Sequence, residues 1–297
     1  MGKLLNKFKI LTYNIGIIRK DAASIIESGV DKGDIIWLKH PYKDRFFADP
    51  FLIKEDEKSY FILVEEYLFY EEKGKISVLI IDKDSFSLIE KKTVIEEPYH
   101  LSFPFCNQDG NTIIPEAVAS GNTNEYIIDL NTFRVLEKRE ILKEGLIDGV
   151  YYSDGASRWL LASHKTNPKE DLYLYKELDG RFIPLNGGKC IASSIRFTRG
   201  AGLFFERGGM LFRPVQDSEK RYGYQTNIMR VDHIGDDGIV TEKVQTINSF
   251  ENGPFNETMH TFNAYDGFVI VDGSKDTVRF PMKAVYKAIK HAKSRKH

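Results

Sequence analysis

Acidic side chains recur at the edges of short apolar segments along this chain. Asp49 and Asp148 each precede a turn-forming residue at the start of such a segment, and Glu116 and Asp217 stand near the end of one. Carboxyl groups that share a pocket push one another's pKa values apart, so one can stay protonated while another accepts a proton. Glycosidic-bond chemistry needs that pairing. We assign Asp49 as base or nucleophile, Glu116 or Asp217 as acid, and Asp148 as a modulator of their pKa values.

A second set of side chains at comparable positions is suited to holding a sugar or a phosphate group. Glu65 and Glu66 are adjacent in one predicted strand, so they point to opposite faces and at most one can face a shared site; we take Glu66. The predicted substrate-binding residues are Glu66, His100, His164, Arg199, Arg213, Gln216, Tyr222, His260 and Asn263. Because this set includes arginine and histidine side chains beside the carboxylates, we expect it to bind an anionic sugar donor.

Composition excludes several classes of protein. The chain has 297 residues with a formal net charge of -1, which argues against a nucleic-acid binder held by bulk charge. Its two cysteines are too few for a zinc cluster or a disulfide scaffold. No ligand spacing demands a metal ion, although a cation such as calcium would use the same carboxylate oxygens. We predict no cofactor and no metal.

The elements that must position these residues repeat along the chain. Each repeat has a short apolar strand, a turn such as Asp154-Gly155, Gly208-Gly209 or Asp266-Gly267, and a second apolar strand. Such pairs are strong hairpin signals. The repeats span 47–67, 102–121, 147–165, 198–218 and 261–273. A period of about 50 residues with four strands per repeat is typical of β-propeller blades.

We therefore predict an all-β fold, a five-bladed β-propeller over 1–280 followed by a C-terminal amphipathic basic helix over 281–297. The last repeat is short, so a strand near 10–18 should complete its blade and close the ring, which removes an exposed edge. First strands line the channel of a propeller, so the candidate residues should converge at one mouth. We interpret the turn residues at the opposite mouth as structural. A two-sheet sandwich would not explain the repeat, and a parallel α/β fold would need helical periodicity, which is clear only after Pro281.

The two ends of the chain carry predictions of their own. The basic and apolar N-terminus is interrupted by Thr12, Asn14 and Gly16, so we interpret it as a strand rather than a secretory signal, and we expect a cytoplasmic protein. The C-terminal helix has an apolar face and a lysine face. It is interpreted as a docking helix, with peripheral contact to a membrane surface or a partner as the alternative.

Several motifs resemble a known family. They are FADPFLI (47–53), EEPYHLSFPF (96–105), IPE (114–116), the Arg199 to Gly202 pair, RPVQDSEKRYG (213–223) and HTFNA (260–264). Together they resemble the N-terminal domain of glucosamine inositolphosphorylceramide transferases over roughly 10–275. That domain is similar to the five-bladed propellers of arabinanase- and xylosidase-type glycoside hydrolases. The resemblance implies that Asp49 is the first-blade aspartate and Asp148 a third-blade aspartate. Glu116 matches the family's PE motif, whereas the acid of the hydrolases comes later, at Gln216-Asp217 here.

Three classes of function follow. The first is an enzyme that makes or breaks a glycosidic bond, with glycosyl transfer in surface glycan or glycolipid biosynthesis ahead of hydrolysis of the arabinanase or xylosidase type. Its substrate would be a sugar, a sugar nucleotide or a glycolipid. The second is a glycan-binding module without chemistry that serves a partner glycosyltransferase. The third is a propeller that binds only proteins.

Overall fold

Five antiparallel sheets make up the part of this protein that the structure describes, which confirms the predicted five-bladed β-propeller. The structure, a computed structural model, describes residues 9–107, 110–248 and 253–278. The chain enters through β1 (Lys9–Ile18), a short helix α1 (Ala22–Ser28) and β2 (Ile35–Trp37). Helix α1 was not predicted, because seven residues are too short to establish a periodic pattern. It begins after Asp21, whose side chain accepts the main-chain N–H groups of Ala23 and Ser24.

Four complete blades follow in chain order. Blade 1 contains β3 (Arg45–Glu55), β4 (Ser59–Leu68), β5 (Lys73–Asp82) and β6 (Leu88–Ile95). Blade 2 contains β7 (Ser102–Cys106), β8 (Thr112–Glu116), β9 (Thr123–Ile128) and β10 (Val135–Leu142). Blade 3 contains β11 (Ile147–Ser153), β12 (Arg158–Ser163), β13 (Asp171–Leu178) and β14 (Arg181–Pro184), and the short β15 (Ala192–Ser193) pairs with β13. Blade 4 contains β16 (Phe205–Arg207), β17 (Met210–Asp217), β18 (Gln225–Gly235) and β19 (Gly238–Asn248).

The fifth blade joins the two ends of the chain. Its inner strands are β20 (Phe262–Tyr265) and β21 (Phe268–Val278), and β1 pairs with β21 from Lys9 opposite Val278 to Ile18 opposite Val269. The predicted strand near 10–18 thus completes the ring. The predicted helix at 281–297 lies outside the described residues, and its contact with a membrane or a partner stays a prediction.

Three first strands carry the same irregularity at the same place. The pairing register shifts between Ala48 and Phe51 in β3, between Ser102 and Phe105 in β7, and between Ile147 and Val150 in β11. Each of these β-bulges contains a residue with positive φ: Asp49 (50°), Phe103 (38°) and Asp148 (46°). A bulge redirects the side chain at that point of a strand. The two aspartates therefore owe their orientation to the bulges.

Apolar side chains fill the space between neighbouring blades. Within the described residues, the largest cluster runs through blades 1 to 4, and three smaller clusters lie where blade 5 meets blade 4 or blade 1. The blades are thereby locked side by side, so the ends of their inner strands hold fixed positions relative to one another. No helix in the described ranges has the length and apolar character needed to cross a membrane.

Candidate active site

Five buried or half-buried carboxyl groups gather where the first strands begin and the second strands end. We call this group the carboxylate mouth; its members are Asp49, Glu65, Glu116, Asp148 and Asp272. They come from blades 1, 2, 3 and 5. The convergence of Asp49, Glu116 and Asp148 expected from the sequence is present, and Glu65 and Asp272 join them. The mouth also contains Arg199, Gln216, Tyr222 and His260.

Asp49 is held on three sides. One carboxylate oxygen accepts the main-chain N–H of Phe103 at 3.1 Å, and the other accepts the hydroxyl of Thr261 at 3.1 Å. Its own N–H donates to Asp272 at 3.1 Å. Burial raises the pKa of Asp49 to about 6, although the nearby His260 works in the opposite direction. The Asp49 carboxyl can therefore exchange a proton close to neutral pH.

His260 and Asp272 form a buried ion pair beneath Asp49. Nδ1 of His260 lies 2.8 Å from Asp272 Oδ2 and 3.6 Å from Asp49 Oδ1. Burial opposes the charge of His260, but the attraction of Asp272 outweighs it and raises the pKa of His260 to about 9. For Asp272 burial is likewise outweighed by His260, and its pKa is lowered. The ring of Tyr13 stacks on His260 with 4.7 Å between centroids.

The same three residues are the one set of potential metal ligands found in the described ranges. Ligand atoms of Asp49, His260 and Asp272 lie within 4.8 Å of one another. A nitrogen and carboxylate oxygens at this spacing could hold a divalent cation. A cation would have to displace the proton of His260, whose ring otherwise forms the ion pair with Asp272.

Asp148 is the centre of a second polar group. Arg199 Nε donates to its Oδ2 at 2.6 Å and Gln216 Nε2 donates to the same oxygen at 2.7 Å. The main-chain N–H of Asp148 donates to Glu116 Oε2 at 3.3 Å. Arg199 also donates to the hydroxyl of Tyr222 at 3.1 Å. Burial disfavours the charge of Arg199, but Asp148 outweighs it and raises the pKa of the guanidinium.

Two glutamates of the mouth have raised pKa values. Burial and the charge of Asp49 raise the pKa of Glu65 well above its ordinary value. Burial and the charge of Asp148 do the same to the pKa of Glu116. They lie beside Asp272, whose pKa is lowered by His260 against the effect of burial, so the pKa values of these neighbouring carboxyl groups are pushed apart.

The structure reverses our choice between the two adjacent glutamates. Glu65 lies opposite Ala48, next to Asp49, and faces the mouth. Glu66 lies on the other face of β4, where it accepts from Ser77, contacts Lys91 at 3.0 Å and pairs with Arg45. Strand alternation in the sequence showed that one of the two faces the channel, and only the register with β3 shows which.

Three further predicted residues lie away from the carboxylate mouth. Asp217 follows Gln216 on the opposite face of β17 and is bound by Arg196 at 3.1 Å and Gln225 at 3.0 Å. His164 stacks on Tyr173 with 3.7 Å between centroids. Arg213 is buried and donates to the carbonyl of Thr198 at 2.6 Å. None of the contacts described for these side chains reaches the carboxylates of the mouth.

Asn263 acts as a brace inside the ring. Its amide nitrogen donates to the carbonyl of Pro50 at 2.7 Å, and its amide oxygen accepts the N–H of Leu203 at 2.7 Å. It thereby ties blade 5 to blades 1 and 4. The side chain is fully buried and satisfied by main-chain groups, which gives it a structural role in the described structure.

His100 and an aromatic patch form the rim of the mouth. Nδ1 of His100 accepts the N–H of Gly74 at 2.8 Å, and its Nε2 lies 3.7 Å from Glu65 Oε1. Burial lowers the pKa of His100, in keeping with an acceptor nitrogen. Tyr67 packs edge-on to His100 and stacks on Phe46 with 4.8 Å between centroids. The half-exposed ring of Tyr67 offers a surface on which a sugar could stack.

A cavity of about 990 Å³ opens at the opposite mouth, where the hairpin turns lie. Its wall includes Phe105, Tyr151, Phe204, Arg207 and Tyr265. The hydroxyl of Tyr265 accepts the N–H of Leu52 at 2.8 Å, and Arg207 donates to the carbonyl of Tyr265 at 2.9 Å. Its wall includes Glu55, Glu206 and Asp266 but none of the five members of the carboxylate mouth. We therefore locate the candidate chemistry at the carboxylate mouth.

Solved structures with this fold include carbohydrate-active enzymes. A GH43_1 enzyme from Xanthomonas citri matches with a TM-score of 0.52 and 11% identity over 80% of this chain and 89% of that one. The same enzyme complexed with xylotriose matches with a TM-score of 0.52 and 10% identity over 81% and 92%. At this identity the likeness concerns the fold alone. The search of curated proteins found no match.

The sequence itself identifies the family. The motifs that resemble this family lie between Phe47 and Ala264, and a sequence model of the family matches a longer stretch around them. The model described as "glucosamine inositolphosphorylceramide transferase 1, N-terminal" matches residues 37–267, which is more than half of the chain, and the protein therefore belongs to this family.

Proposed function

We propose that this protein is a carbohydrate-active enzyme that makes or breaks a glycosidic bond at the carboxylate mouth. Its reaction is glycosyl transfer in the synthesis of a surface glycan or glycolipid, in the cytoplasm. Family membership supports carbohydrate chemistry, since the family is named after a sugar transferase. The preference for transfer over hydrolysis rests on that name.

One observation carries the assignment of the site. Asp49, whose pKa is raised by burial to about 6, lies in the same mouth as Glu65 and Glu116, whose pKa values are raised by burial well above the ordinary range. A base near neutrality beside protonated carboxyl groups can take a proton from an acceptor and give one to a leaving group. A site that only held hydroxyl groups would not need both states.

Each residue of the mouth then has a role. Asp49 is the base, Arg199 pairs with Asp148 at 2.6 Å, and burial together with the charge of Asp148 raises the pKa of Glu116. Asp217 is not the acid, because it faces away and is bound by Arg196. Gln216, which does face the mouth, carries an amide that cannot serve as a proton donor of this kind. Tyr67 and Tyr222 supply aromatic surface for a sugar ring.

Hydrolysis is the second candidate, and the fold favours it. The propeller resembles that of the Xanthomonas citri enzyme solved with xylotriose. The same carboxyl groups would then activate water instead of a sugar hydroxyl. The two reactions differ only in the acceptor, so product analysis separates them.

The test is a panel of sugar nucleotides, glycolipids and oligosaccharides incubated with the wild-type protein, Asp49→Asn and Asp217→Asn. We expect Asp49→Asn to lower turnover about 10²- to 10⁴-fold because the proton acceptor is lost. Asp217→Asn, outside the mouth, should keep its rate. Calorimetry on the same mixtures identifies binding without chemistry. Full activity of Asp49→Asn, or binding with no product for any donor, rejects the proposal.

A further inference from the structure

We propose that Glu65 is the general acid of this site and that the sugar donor is a glycoside with an alcohol leaving group. This inference rests on the proposed function, because it assigns the proton donor and the substrate class of the same mouth. It differs from the anionic donor expected from the sequence.

The position of Glu65 suits a proton donor. Glu65 lies opposite Ala48 in the pairing of β4 with β3, beside the base Asp49. It is 8% exposed, and no hydrogen bond to its carboxyl is found within the described residues. The Nε2–H of His100, whose Nδ1 accepts from Gly74, lies 3.7 Å from Glu65 Oε1, which is beyond hydrogen-bond distance. An ionised carboxylate in this position would lose much of its hydration and gain no hydrogen bond from the described side chains. The carboxyl is therefore neutral, and its O–H is not committed to a protein acceptor.

The carboxylates that face Glu65 from neighbouring strands favour its neutral form, while the cations of the mouth, Arg199 and His260, are each paired with another carboxylate. The acidic ones are Asp49 on β3, Glu116 on β8, Asp148 on β11 and Asp272 on β21. Tyr13, Tyr67 and His100 complete its surroundings. Burial and these carboxylates together raise the pKa of Glu65, so the geometry and the electrostatics agree.

Glu116 also has a raised pKa, but its carboxyl is already bound to the main chain. The carboxyl of Glu116 accepts the Asp148 N–H at 3.3 Å, and burial followed by the nearby Asp148 carboxylate raises its pKa. Giving up its proton would place a second carboxylate charge beside Asp148. Glu116 is therefore better suited to holding Asp148 in place, and Glu65 is the available acid.

The cations of the mouth favour an uncharged leaving group. Arg199 is bound to Asp148 at 2.6 Å and His260 to Asp272 at 2.8 Å, so both charges are already neutralised. A departing diphosphate would need cations free to bind it, and it would not need an acid. An alcohol leaving group needs a proton and no cation. The donor that fits is an oligosaccharide, an alkyl glycoside or a glycolipid.

The bond between the anomeric carbon and the leaving oxygen breaks, and its electron pair goes to that oxygen, which takes the proton of Glu65. The oxygen of the acceptor hydroxyl forms the new bond to the anomeric carbon, and its proton moves to Asp49. Glu65 is then a carboxylate and Asp49 a carboxylic acid. Water at the mouth returns the proton to Glu65.

The experiment compares wild-type protein with Glu65→Gln and Glu66→Gln. Each variant is assayed on matched 4-nitrophenyl and alkyl glycosides and on sugar nucleotides, with transfer and hydrolysis products both measured. Glutamine resembles a protonated glutamate, so Glu65→Gln should keep the wild-type urea midpoint. Glu66→Gln should lower the midpoint, because Arg45 and Lys91 lose their buried partner, and keep the activity.

We expect Glu65→Gln to lose about 10²- to 10⁴-fold in rate on alkyl glycosides and less than about tenfold on 4-nitrophenyl glycosides, whose leaving group departs without a proton. Equal losses on both substrates, or no loss on either, would overturn the role of Glu65 and leave the proposed function standing. If the wild-type protein turns over only sugar nucleotides, the proposed donor class is wrong and the proposed function stands. Absence of turnover in wild-type protein on every donor would overturn both proposals.

Discussion

The carboxylate of Asp272 accepts the main-chain N–H of Asp49 at 3.1 Å. The last strand of the ring thus holds the bulge in the first blade that orients the proposed base. Asp272 also accepts the N–H groups of His260 at 3.1 Å and Thr261 at 3.0 Å. The closure of the propeller and the geometry of the site therefore depend on one buried carboxylate.

Asp272→Asn tests this dependence. The change leaves the protonated ring of His260 without its partner in a buried position. We expect the free energy of unfolding to fall by about 3–5 kcal/mol. The matched control is Asp276→Asn on the same strand, which loses a partly exposed pair with Lys9 and should cost at most about 1 kcal/mol. Urea denaturation measures both, and equal losses would contradict a special role for Asp272.

The stability of the protein should fall between about pH 6.5 and 9. The pKa of His260 is raised by Asp272, against the effect of burial, to about 9, compared with 6.5 in the unfolded chain. The stability contributed by its charge is fully present below pH 6.5 and is lost as the pH rises through 9, by up to about 1.4 kcal/mol per pH unit. Urea midpoints across this range measure the fall. This fall in stability should be absent in His260→Gln. It should be unchanged in the control His233→Gln, which replaces an exposed ring.

Gly202 should tolerate no side chain. Its φ is 150°, and a Cβ there would lie 2.2 Å from the carbonyl oxygen of Phe262 and 2.5 Å from the Asn263 amide oxygen. Gly202→Ala must therefore displace the brace that joins blades 1, 4 and 5, and we expect a loss of about 3–5 kcal/mol in unfolding free energy. Gly209→Ala also has a positive φ but meets no atom within 4 Å, so it should cost about 1–2 kcal/mol. Similar urea midpoints for the two variants would be inconsistent with this packing.

Arg199 should not be replaceable by lysine. Its guanidinium reaches Asp148 at 2.6 Å, the carbonyl of Pro168 at 3.2 Å and the hydroxyl of Tyr222 at 3.1 Å. An ammonium group cannot span these three acceptors, so Arg199→Lys should lose about 2 kcal/mol of unfolding free energy. Arg196, which is itself 38% exposed although its partner Asp217 is buried, provides the control, and Arg196→Lys should lose less than about 1 kcal/mol. If Arg199→Lys unfolds at the same temperature and urea concentration as the wild-type protein, these contacts contribute little to its stability.

The architecture was predictable because its signals are local. Turn pairs such as Asp154-Gly155 and Asp266-Gly267 mark hairpins wherever they occur, since they accept positive φ. Their spacing predicts the number of blades, and the shortness of the last repeat predicts closure by residues 10–18, which pair with β21. Asp49 and Asp148 were found at the mouth for the same reason, since each begins a repeat.

The sequence by itself determined the strands, the hairpins and the set of residues near the channel ends, because these follow from alternation and turn chemistry within each repeat. It did not determine which of Glu65 and Glu66, or of Gln216 and Asp217, faces the mouth. That choice depends on bulges and on pairing registers, which form only when strands pair. The partnership of Asp49 with Asp272 was equally hidden, since it joins residues 223 positions apart and arises only when the ring closes.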